Sequence, residues 1–450
     1  MKTIKQLLQR ILFVFLFLTF YNSSFSKVTI SLDDPNISYD GVFYPVITSN
    51  KVQFNRHLSS MINNWESGIA GSWINQWVIT QTGVRIRFKT ASPTIDLKFG
   101  KRIGGGTIGS LPSTGFTVFV NGVQTATFSD TVFTVNNPNP GTSNTFEVTL
   151  PNLWAVDFTG MQIDDTYALE SPGALNKPVY VSIGNSITHG TGQYVSAAKG
   201  YPFLLAKKMD WDLHNIAVAG STLGWAIALN IKGKHVDFIT VKIGFNDWKY
   251  TSDPLSVKKA EYGKLIDSLR AYQPTARIFC ITPIYTADND GSAPYTIADF
   301  RAMVAEVVTE KMLNDNNLCL INGAEISDAT MLAPGDPTHL SEYGASKLAD
   351  ALYLKINDCG SSSSVSTLQT NSRIQIKQWS NNQLQITSEV SAVFDLSVFS
   401  MEGKLMYKKS INVVKGENTI TSNEDLLSNG LYLVKIQNQN DSSSTKVWVK

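Results

Sequence analysis

The sequence predicts three folded regions in series: an all-β region, a central three-layer α/β region, and a second, smaller β region. Two observations predict this order. Apolar residues alternate in the first region, follow a rhythm of strands and helices from about residue 175, and alternate again after a serine-rich stretch. A length of 450 residues is sufficient for two to four domains, each with its own hydrophobic core.

The composition is that of a globular protein with almost no net charge. Lysine and arginine number 38, aspartate and glutamate number 37, and 43% of the residues are apolar. Nucleic-acid binding requires clustered basic side chains, and no dense basic block is present. The composition also excludes collagen-like, coiled-coil and fully disordered chains.

Residues 1–26 have the pattern of a secretory signal peptide. Three basic side chains precede an apolar run over residues 11–20, and small residues around Ser26 offer a cleavage point. A membrane anchor is the alternative, but spanning a bilayer takes about 20 apolar residues and this run has half as many. We therefore expect an exported, slightly acidic mature chain without a transmembrane segment.

The chain has three cysteines, Cys280, Cys319 and Cys359. An odd number cannot form a complete disulfide framework, so we expect packed cores rather than disulfides to stabilise the protein. Cys280 and Cys319 lie in apolar runs and are predicted to be small buried hydrophobic residues. No spacing of cysteine and histidine indicates a metal site.

Residues 27–170 are predicted to form an antiparallel β-sandwich of the jelly-roll kind. Residues 84–88 and 95–99 alternate between apolar and polar side chains, as expected of strands with one buried face. Asn121-Gly122 separates two further alternating runs, 116–120 and 123–128, and this dipeptide is a strong hairpin signal.

Residues 175–358 are predicted to form an α/β domain with a parallel sheet covered on both faces. The candidate strands are residues 179–183, 214–218, 236–243, 278–281 and 318–321, and the candidate helices are residues 255–271, 297–314 and 342–356. Ligands of such sheets bind beyond the carboxyl ends of the strands. Residues 359–372 then read as a serine-rich linker, and residues 373–450 as a small β-sandwich.

Four short motifs lie at predicted loop positions beyond these strand ends. They are Gly184-Asn185-Ser186, Ala219-Gly220-Ser221, Gly244-Phe245-Asn246 and Asp336-Pro337-Thr338-His339. A serine on a tight turn can act as a nucleophile, and backbone N–H groups and an amide side chain can stabilise an oxyanion. A carboxylate three residues before an imidazole can orient it as a general base. Each motif is weak alone, but all four belong to one edge of one sheet.

His189, Trp225 and Trp248 are further candidates near these motifs. His189 is a rival base because it lies three residues beyond Ser186, although a role in lining the pocket or shaping the turn is the stronger interpretation. The two tryptophans could stack on a sugar ring, whereas aromatic residues near strand ends more often belong to the core. Asp247 could titrate, but a carboxylate in a loop is more often solvated.

In these motifs the sequence resembles the SGNH (GDSL-type) hydrolase family, whose α/β fold is flavodoxin-like, and the four blocks occur in the family's order. The resemblance implies that Ser186 is the nucleophile, that Asp336 and His339 complete a catalytic triad, and that Ser186, Gly220 and Asn246 form the oxyanion hole. One departure is Asn185, where the family usually has aspartate. Because they lie close to the motifs in sequence, His189, Trp225 and Trp248 are candidate substrate contacts.

The flanking regions have resemblances of their own. The N-terminal region resembles the jelly-roll modules of several SGNH carbohydrate esterases. The C-terminal region is similar to the sorting domain of the type nine secretion system, through Gly403-Lys404, residues 429–434 and residues 446–450. This similarity implies export through the bacterial outer-membrane secretion machinery to the cell surface or the medium.

Together these features predict a secreted serine esterase that removes an acetyl or other small acyl group from a carbohydrate. The acyl group would pass through an acyl-enzyme on Ser186, and no cofactor or metal is needed. Two alternatives remain: a lipase or other acylhydrolase, and a surface protein that binds glycans without catalysis.

Overall fold

The structure is a computed structural model that describes residues 26–63, 77–103, 115–193, 196–363, 373–380, 383–400, 405–421, 430–438 and 442–449. The predicted signal peptide, apart from Ser26, lies outside the described residues, as does the linker beyond Ser363. The chain divides into two compact units, Met1–Ile356 and Asn357–Lys450.

The first unit begins with the β region that the alternating pattern predicts. Its elements are β1 (Lys27–Ile30), β2 (Ser38–Asp40), β3 (Tyr44–Ile47), β4 (Val52–Asn55), α1 (Ser59–Asn63), β5 (Arg85–Thr90), β6 (Thr94–Ile103), β7 (Phe116–Val120), β8 (Val123–Phe128), β9 (Val132–Asn136), β10 (Asn144–Thr149), β11 (Ala155–Asp164) and β12 (Leu169–Glu170).

These strands form two antiparallel sheets on one hydrophobic core. One sheet has the order β3-β4-β11-β6-β9 with β1 beside β11, and the other has the order β12-β5-β10-β7-β8 with β2 beside β5. Apolar side chains of both sheets, such as Phe158 and Phe146, meet in the core. The hairpin between β7 and β8 turns at Asn121 and Gly122, which have φ angles of 49° and 80°, as the dipeptide predicts.

The α/β region follows in the same unit. Its elements are β13 (Val179–Gly184), α2 (Ser186–His189), β14 (Gly192–Gln193), a 3-10 helix (Ala197–Lys199), α3 (Tyr201–Met209), β15 (Asp212–Asn215), a 3-10 helix (Trp225–Ile231), β16 (Phe238–Lys242), α4 (Phe245–Tyr250), α5 (Leu255–Tyr272), β17 (Arg277–Ile281), α6 (Ile297–Met312), β18 (Leu318–Ile321), a 3-10 helix (Ala329–Met331), β19 (Leu340–Ser341) and α7 (Glu342–Ser363).

Five of these strands form the predicted parallel sheet, in the order β15-β13-β16-β17-β18. The order places the carboxyl ends of β13, β15 and β16 side by side, so the loops that follow them can meet. The second strand ends at Asn215, earlier than the predicted 214–218. The side chain of Asn215 accepts the N–H of Ala217 at 3.0 Å, and this local turn ends the strand.

The last helix and the cysteines correct two expectations. Helix α7 continues to Ser363, so the first five residues of the predicted linker 359–372 are helical. Serine is compatible with a helix end, and composition alone did not reveal the continuation. Cys319 and Cys359 are disulfide-bonded, whereas Cys280 is a free buried thiol. The expectation that Cys319 is only a small hydrophobic residue is therefore wrong.

The second unit consists of β20 (Ile374–Ser380), β21 (Gln383–Ser388), β22 (Ala392–Ser400), β23 (Leu405–Val413), β24 (Gly416–Thr421), β25 (Gly430–Gln437) and β26 (Ser442–Val449). They form a sheet of order β20-β21-β24 and another of order β23-β22-β25-β26, with a separate core that includes Leu396 and Val434. Among the residues that the structure describes, no helix is long and apolar enough to cross a membrane.

Candidate active site

Ser186 lies directly beyond the carboxyl end of β13, as predicted. It is the first residue of the short helix α2, and Asn185 is the N-cap residue. The turn needs a glycine at position 184, because a Cβ there would lie 2.2 Å from Thr188 Oγ1 and 2.6 Å from the carbonyl oxygen of Lys242. This close packing fixes the start of the helix and leaves Ser186 at the sheet edge with 8% of its surface exposed.

His339 and Asp336 approach Ser186 from the loop before the last helix. His339 Nδ1 lies 2.9 Å from Asp336 Oδ2, and His339 Nε2 lies 3.0 Å from Ser186 Oγ. The carboxylate holds the imidazole proton on Nδ1, so Nε2 is free to accept the serine proton. The small parallel pair of β14 and β19 joins the loop after Ser186 to the loop that carries His339.

Asp336 is held as a carboxylate by its surroundings. Partial burial alone would raise its pKa. The hydrogen bonds from His339, the charge of His339 and the hydrogen bond from the N–H of Thr338 together outweigh burial and lower the pKa to about 2. The backbone N–H groups of Thr338 and His339 both donate to Oδ1 at 2.8 Å. The other oxygen is thereby left to the imidazole.

The second and third motifs are tied to the first through Ser221. The Ser221 hydroxyl donates to the carbonyl oxygen of Gly184 at 3.1 Å, and Asn246 Nδ2 donates to the carbonyl oxygen of Ser221 at 2.8 Å. Gly220, which precedes Ser221, has a φ angle of +83°, a conformation that favours glycine. An amide nitrogen carries two hydrogens, so Asn246 retains one donor for a ligand.

Asp247 is completely buried, contrary to the expectation of a solvated loop carboxylate. Both of its oxygens accept the N–H of Leu223, at 3.1 and 3.0 Å, and Lys258 Nζ lies 3.2 Å from Oδ1. Burial raises the pKa of Asp247 to about 6, although Lys258 and the N–H of Leu223 act in the opposite direction. Asp247 therefore joins the Asn246 helix to the loop after Gly220.

Asn185, the departure from the family pattern, has an unsatisfied side chain. Only 1% of the residue is exposed, and within the described residues its Oδ1 atom has no hydrogen-bond partner. The side chain makes no capping hydrogen bond to α2, whereas the backbone carbonyl of Asn185 accepts the N–H of His189 at 2.9 Å. The backbone, not the Asn185 side chain, shapes this turn.

His189 is not placed to contact a substrate. This corrects the prediction that His189 is a substrate contact. It is completely buried, Nδ1 accepts the N–H of Ala219 at 3.0 Å, and Nε2 lies 2.8 Å from the carbonyl oxygen of Asn152. Nε2 also lies 2.9 Å from Thr80 Oγ1. His189 is the last residue of α2, which we call the serine helix. It therefore joins this helix to the β region and to the loop that carries Gly220, the Gly220 loop.

His189 should make the protein less stable in mild acid. Burial lowers its pKa from 6.5 to about 3, so between these pH values the unfolded chain binds a proton that the folded protein does not. The free energy of unfolding therefore decreases as the pH is lowered through this window, by about 1.4 kcal/mol per pH unit for one proton. Urea unfolding at a series of pH values from 7 to 4 measures this effect. The free energy of unfolding should decrease less steeply in His189→Asn than in the wild type, and the asparagine amide oxygen can still accept the Ala219 N–H. Parallel slopes for the two proteins would contradict the assignment.

The two tryptophans differ in accessibility. Trp248 is buried, with 4% of its surface exposed, and packs edge-on against Phe245. The core interpretation therefore applies to Trp248. Trp225 is half-buried and lies under the ammonium group of Lys264, 4.5 Å from the ring centre. A substrate contact by Trp225 stays a prediction.

Sequence reasoning missed the residues that reach this site from the β region. Arg56, Thr80 and Asn152 all contact the serine helix or the loop before Gly220. They are distant in sequence from the motifs and belong to no recognisable pattern. Across the described residues, no group of three or more His, Cys, Asp or Glu side chains could hold a metal ion.

The arrangement can transfer an acyl group. A hydroxyl, a base that accepts its proton, and a carboxylate that orients the base stand in hydrogen-bonded order. Amide donors on the two neighbouring loops can stabilise the oxyanion of a tetrahedral intermediate.

Three solved structures are similar to this chain. Salicylyl-acyltransferase SsfX3 from a tetracycline biosynthetic pathway has 19% sequence identity and a TM-score of 0.63, over 74% of this chain and 98% of that one. A putative GDSL-like lipase from Bacteroides ovatus has 13% identity and a TM-score of 0.59, over 75% and 98%. A family two carbohydrate esterase from Cellvibrio japonicus has 15% identity and a TM-score of 0.52, over 74% and 98%. At these identities the likeness shows the fold alone.

Two parts of the sequence also match known families, although no curated protein matches the chain. The GDSL-like Lipase/Acylhydrolase family matches residues 182–347, which contain all four motifs. The Secretion system C-terminal sorting domain matches residues 380–450, within the second unit. Residues 182–347 are thus a GDSL-like lipase/acylhydrolase domain with the SGNH hydrolase fold, and the sorting domain that follows marks the chain as a secreted or cell-surface protein.

Proposed function

We propose that this protein is a secreted serine esterase that removes acetyl or similarly small acyl groups from a carbohydrate. The observation that carries the proposal is the hydrogen-bonded order of Ser186, His339 and Asp336 at the carboxyl edge of the sheet. Ser186 attacks the ester carbonyl while His339 accepts its proton, and Asp336 stabilises the imidazolium. The imidazolium gives this proton to the sugar oxygen as the ester C–O bond breaks, and the alcohol leaves. Water, activated by the same base, then hydrolyses the acyl-enzyme and releases the acid.

The oxyanion of each tetrahedral intermediate is assigned to three donors. They are the backbone N–H groups of Ser186 and Gly220 and the side-chain amide of Asn246. Ser221 joins the three segments that carry them, because its hydroxyl donates to the Gly184 carbonyl and its own carbonyl accepts from Asn246. Donors fixed before the substrate arrives need no reorganisation during the reaction.

The choice of a carbohydrate ester rests on location and on architecture. A sorting domain directs the chain outside the cell, where polysaccharides are accessible polymers. A similar structure is a family two carbohydrate esterase, and the similarity covers 74% of this chain, which is more than the α/β region alone. We assign the two-sheet β region as a jelly-roll module of the kind found in such enzymes.

The test is release of acetate from acetylated polysaccharides by the wild type and by Ser186→Ala. We expect wild-type acetate release, and a loss of at least about 1,000-fold in the variant because no acyl-enzyme can form. Ser221→Ala is the matched control, since it removes a neighbouring hydroxyl from the same site and should retain far more activity than Ser186→Ala.

A panel of p-nitrophenyl esters separates the alternatives. Preference for acetate over octanoate supports the small-acyl proposal, whereas preference for long chains indicates a lipase. If the wild type and Ser186→Ala are equally inert on every ester but bind glycans, the protein is a surface glycan-binding protein and the esterase proposal is wrong.

A further inference from the structure

The N-terminal β region inserts a buried arginine behind the loop that carries Gly220. Arg56 directly follows β4, and 1% of its surface is exposed. Its Nη1 atom donates to the carbonyl oxygens of Asn215 and Ala217, both at 2.8 Å. Its other nitrogens donate within the β region, Nε to the Thr80 carbonyl at 2.6 Å and Nη2 to the Trp77 carbonyl at 3.1 Å.

Among the residues that the structure describes, the guanidinium of Arg56 is paired only with neutral groups. Within the described ranges, no carboxylate lies at ion-pair distance from Arg56, and all its recorded partners are carbonyl or hydroxyl oxygens. Burial lowers its pKa to about 9, so the group is still charged at neutral pH. A buried cation without a counter-charge is costly to stability. An apolar residue would avoid this cost. Only arginine, however, supplies a planar group with several N–H donors at fixed angles, which these oxygens accept.

The same loop is held from its other side by the serine helix. The N–H of Ala219 donates to His189 Nδ1, and the N–H of Val218 donates to the carbonyl oxygen of Gly184 at 3.1 Å. Asn215 Nδ2 donates to the carbonyl oxygen of Thr188 at 2.7 Å. The backbone that leads into Gly220 is therefore fixed by Arg56 on one side and by the helix of Ser186 on the other.

Thr80 joins the two supports into one network. Its Oγ1 atom lies 2.9 Å from His189 Nε2 and 3.5 Å from Arg56 Nη2, and it donates to the Trp77 carbonyl at 2.8 Å. A movement of Arg56 would therefore reach the Gly220 loop directly, through Asn215 and Ala217, and indirectly, through Thr80 and His189.

We propose that Arg56 is a positioning residue that orients the Gly220 N–H toward the oxyanion formed at Ser186, so that the β region forms part of the catalytic scaffold. The inference rests on the proposed esterase function, since it concerns the oxyanion hole of the same site. It assigns to the β region a role in the reaction that does not require the β region to bind sugar.

Arg56→Met and Arg85→Met form a matched pair. Arg85 is also a buried arginine of the β region, but it reaches Asp212 and the Leu213 carbonyl at the amino end of β15, whereas the Gly220 loop follows the carboxyl end of that strand. Both substitutions should lower the urea midpoint. Only Arg56→Met should lower kcat on p-nitrophenyl acetate, by about 100-fold, because a displacement of about 1 Å in a catalytic group costs that much. KM should change little.

Active-site labelling and a conservative variant separate positioning from misfolding. Complete labelling of Ser186 by a fluorophosphonate gives the concentration of folded sites, and kcat is expressed per labelled site. Arg56→Lys keeps the positive charge but lacks the planar set of donors. It replaces Arg56→Met in the test if Arg56→Met does not fold. We expect Arg56→Lys to stay at least about 10-fold below the wild type in kcat. Full activity of Arg56→Lys, or equal losses in Arg56→Met and Arg85→Met, would overturn the proposal.

Hydrogen exchange gives a readout that needs no ester. Peptides covering residues 216–223 should exchange faster in Arg56→Met and Arg56→Lys than in the wild type, while Arg85→Met leaves them unchanged. If the wild type hydrolyses no ester, the esterase proposal fails, yet faster exchange still supports the positioning of this loop by Arg56. Unchanged exchange in both Arg56 variants would overturn that positioning.

Discussion

Replacing Asp336 with asparagine should lower kcat by about 10,000-fold while the protein stays folded. The asparagine carbonyl can still accept the backbone N–H groups of Thr338 and His339, so the loop keeps its shape. Its amide nitrogen, however, would face His339 Nδ1, where a carboxylate oxygen now lies at 2.9 Å. A donor at this position favours the tautomer with the proton on Nε2, and that tautomer cannot accept the proton of Ser186.

Steady-state hydrolysis of p-nitrophenyl acetate measures this effect, and circular dichroism with urea unfolding checks the fold. Asp328→Asn is the matched control, because the exposed Asp328 also accepts a backbone N–H two residues further on, that of Thr330 at 2.8 Å, but touches no imidazole. Its kcat should equal that of the wild type. A variant at Asp336 that retains more than about a tenth of wild-type kcat would remove this residue from the triad.

The sequence was most informative where chemistry follows a strand end. Ser186 and Asn246 each come within two to four residues of a short apolar strand, and parallel strands place such positions on one edge of a sheet. The rhythm of strands and helices predicted that edge, and the structure brings Ser186, His339 and Asp336 into hydrogen-bonded contact there. The catalytic roles of these residues stay proposals.

Contacts between distant segments left no trace in the sequence. Arg56 binds the carbonyl of Ala217 across 161 positions, and backbone carbonyls are the same for every residue type. Asp247 looked like a solvated loop residue because its burial depends on Lys258, which comes from the next helix. His189 is the last residue of the helix that begins with Ser186, but only the fold shows that both its ring nitrogens are occupied.

The same reasoning explains the two structural corrections. Helix α7 continues into a serine-rich stretch because a helix that has already formed needs little further propensity to continue. Composition describes only average tendencies, so it predicted a linker there. Whether a cysteine is disulfide-bonded depends on distances between side chains in the fold, which a count of three cysteines does not contain.

Asn246→Ala should lower kcat by about 100- to 1,000-fold, with KM little changed. Asn246 Nδ2 is held by the carbonyl oxygen of Ser221 at 2.8 Å, which fixes the amide plane and aims the second hydrogen independently of any substrate. A donor held in this way acts on the negative charge that develops on the oxyanion more than on the neutral ester, so its removal raises the barrier without weakening substrate binding.

Asn246→Asp sharpens the test because it keeps the shape and replaces the donor with an acceptor. A carboxylate would repel both the Ser221 carbonyl and the oxyanion, so its kcat should be no higher than that of Asn246→Ala. Asn322→Ala is the control, since Asn322 also directly follows a strand of the same sheet but donates to Glu325 at 3.1 Å. If Asn246→Asp were as active as the wild type, the oxyanion would be stabilised by backbone N–H groups alone. Asn246 would then have only a structural role, shared with Asp247: its amide would hold the loop of Ser221 against α4, as Asp247 holds Leu223.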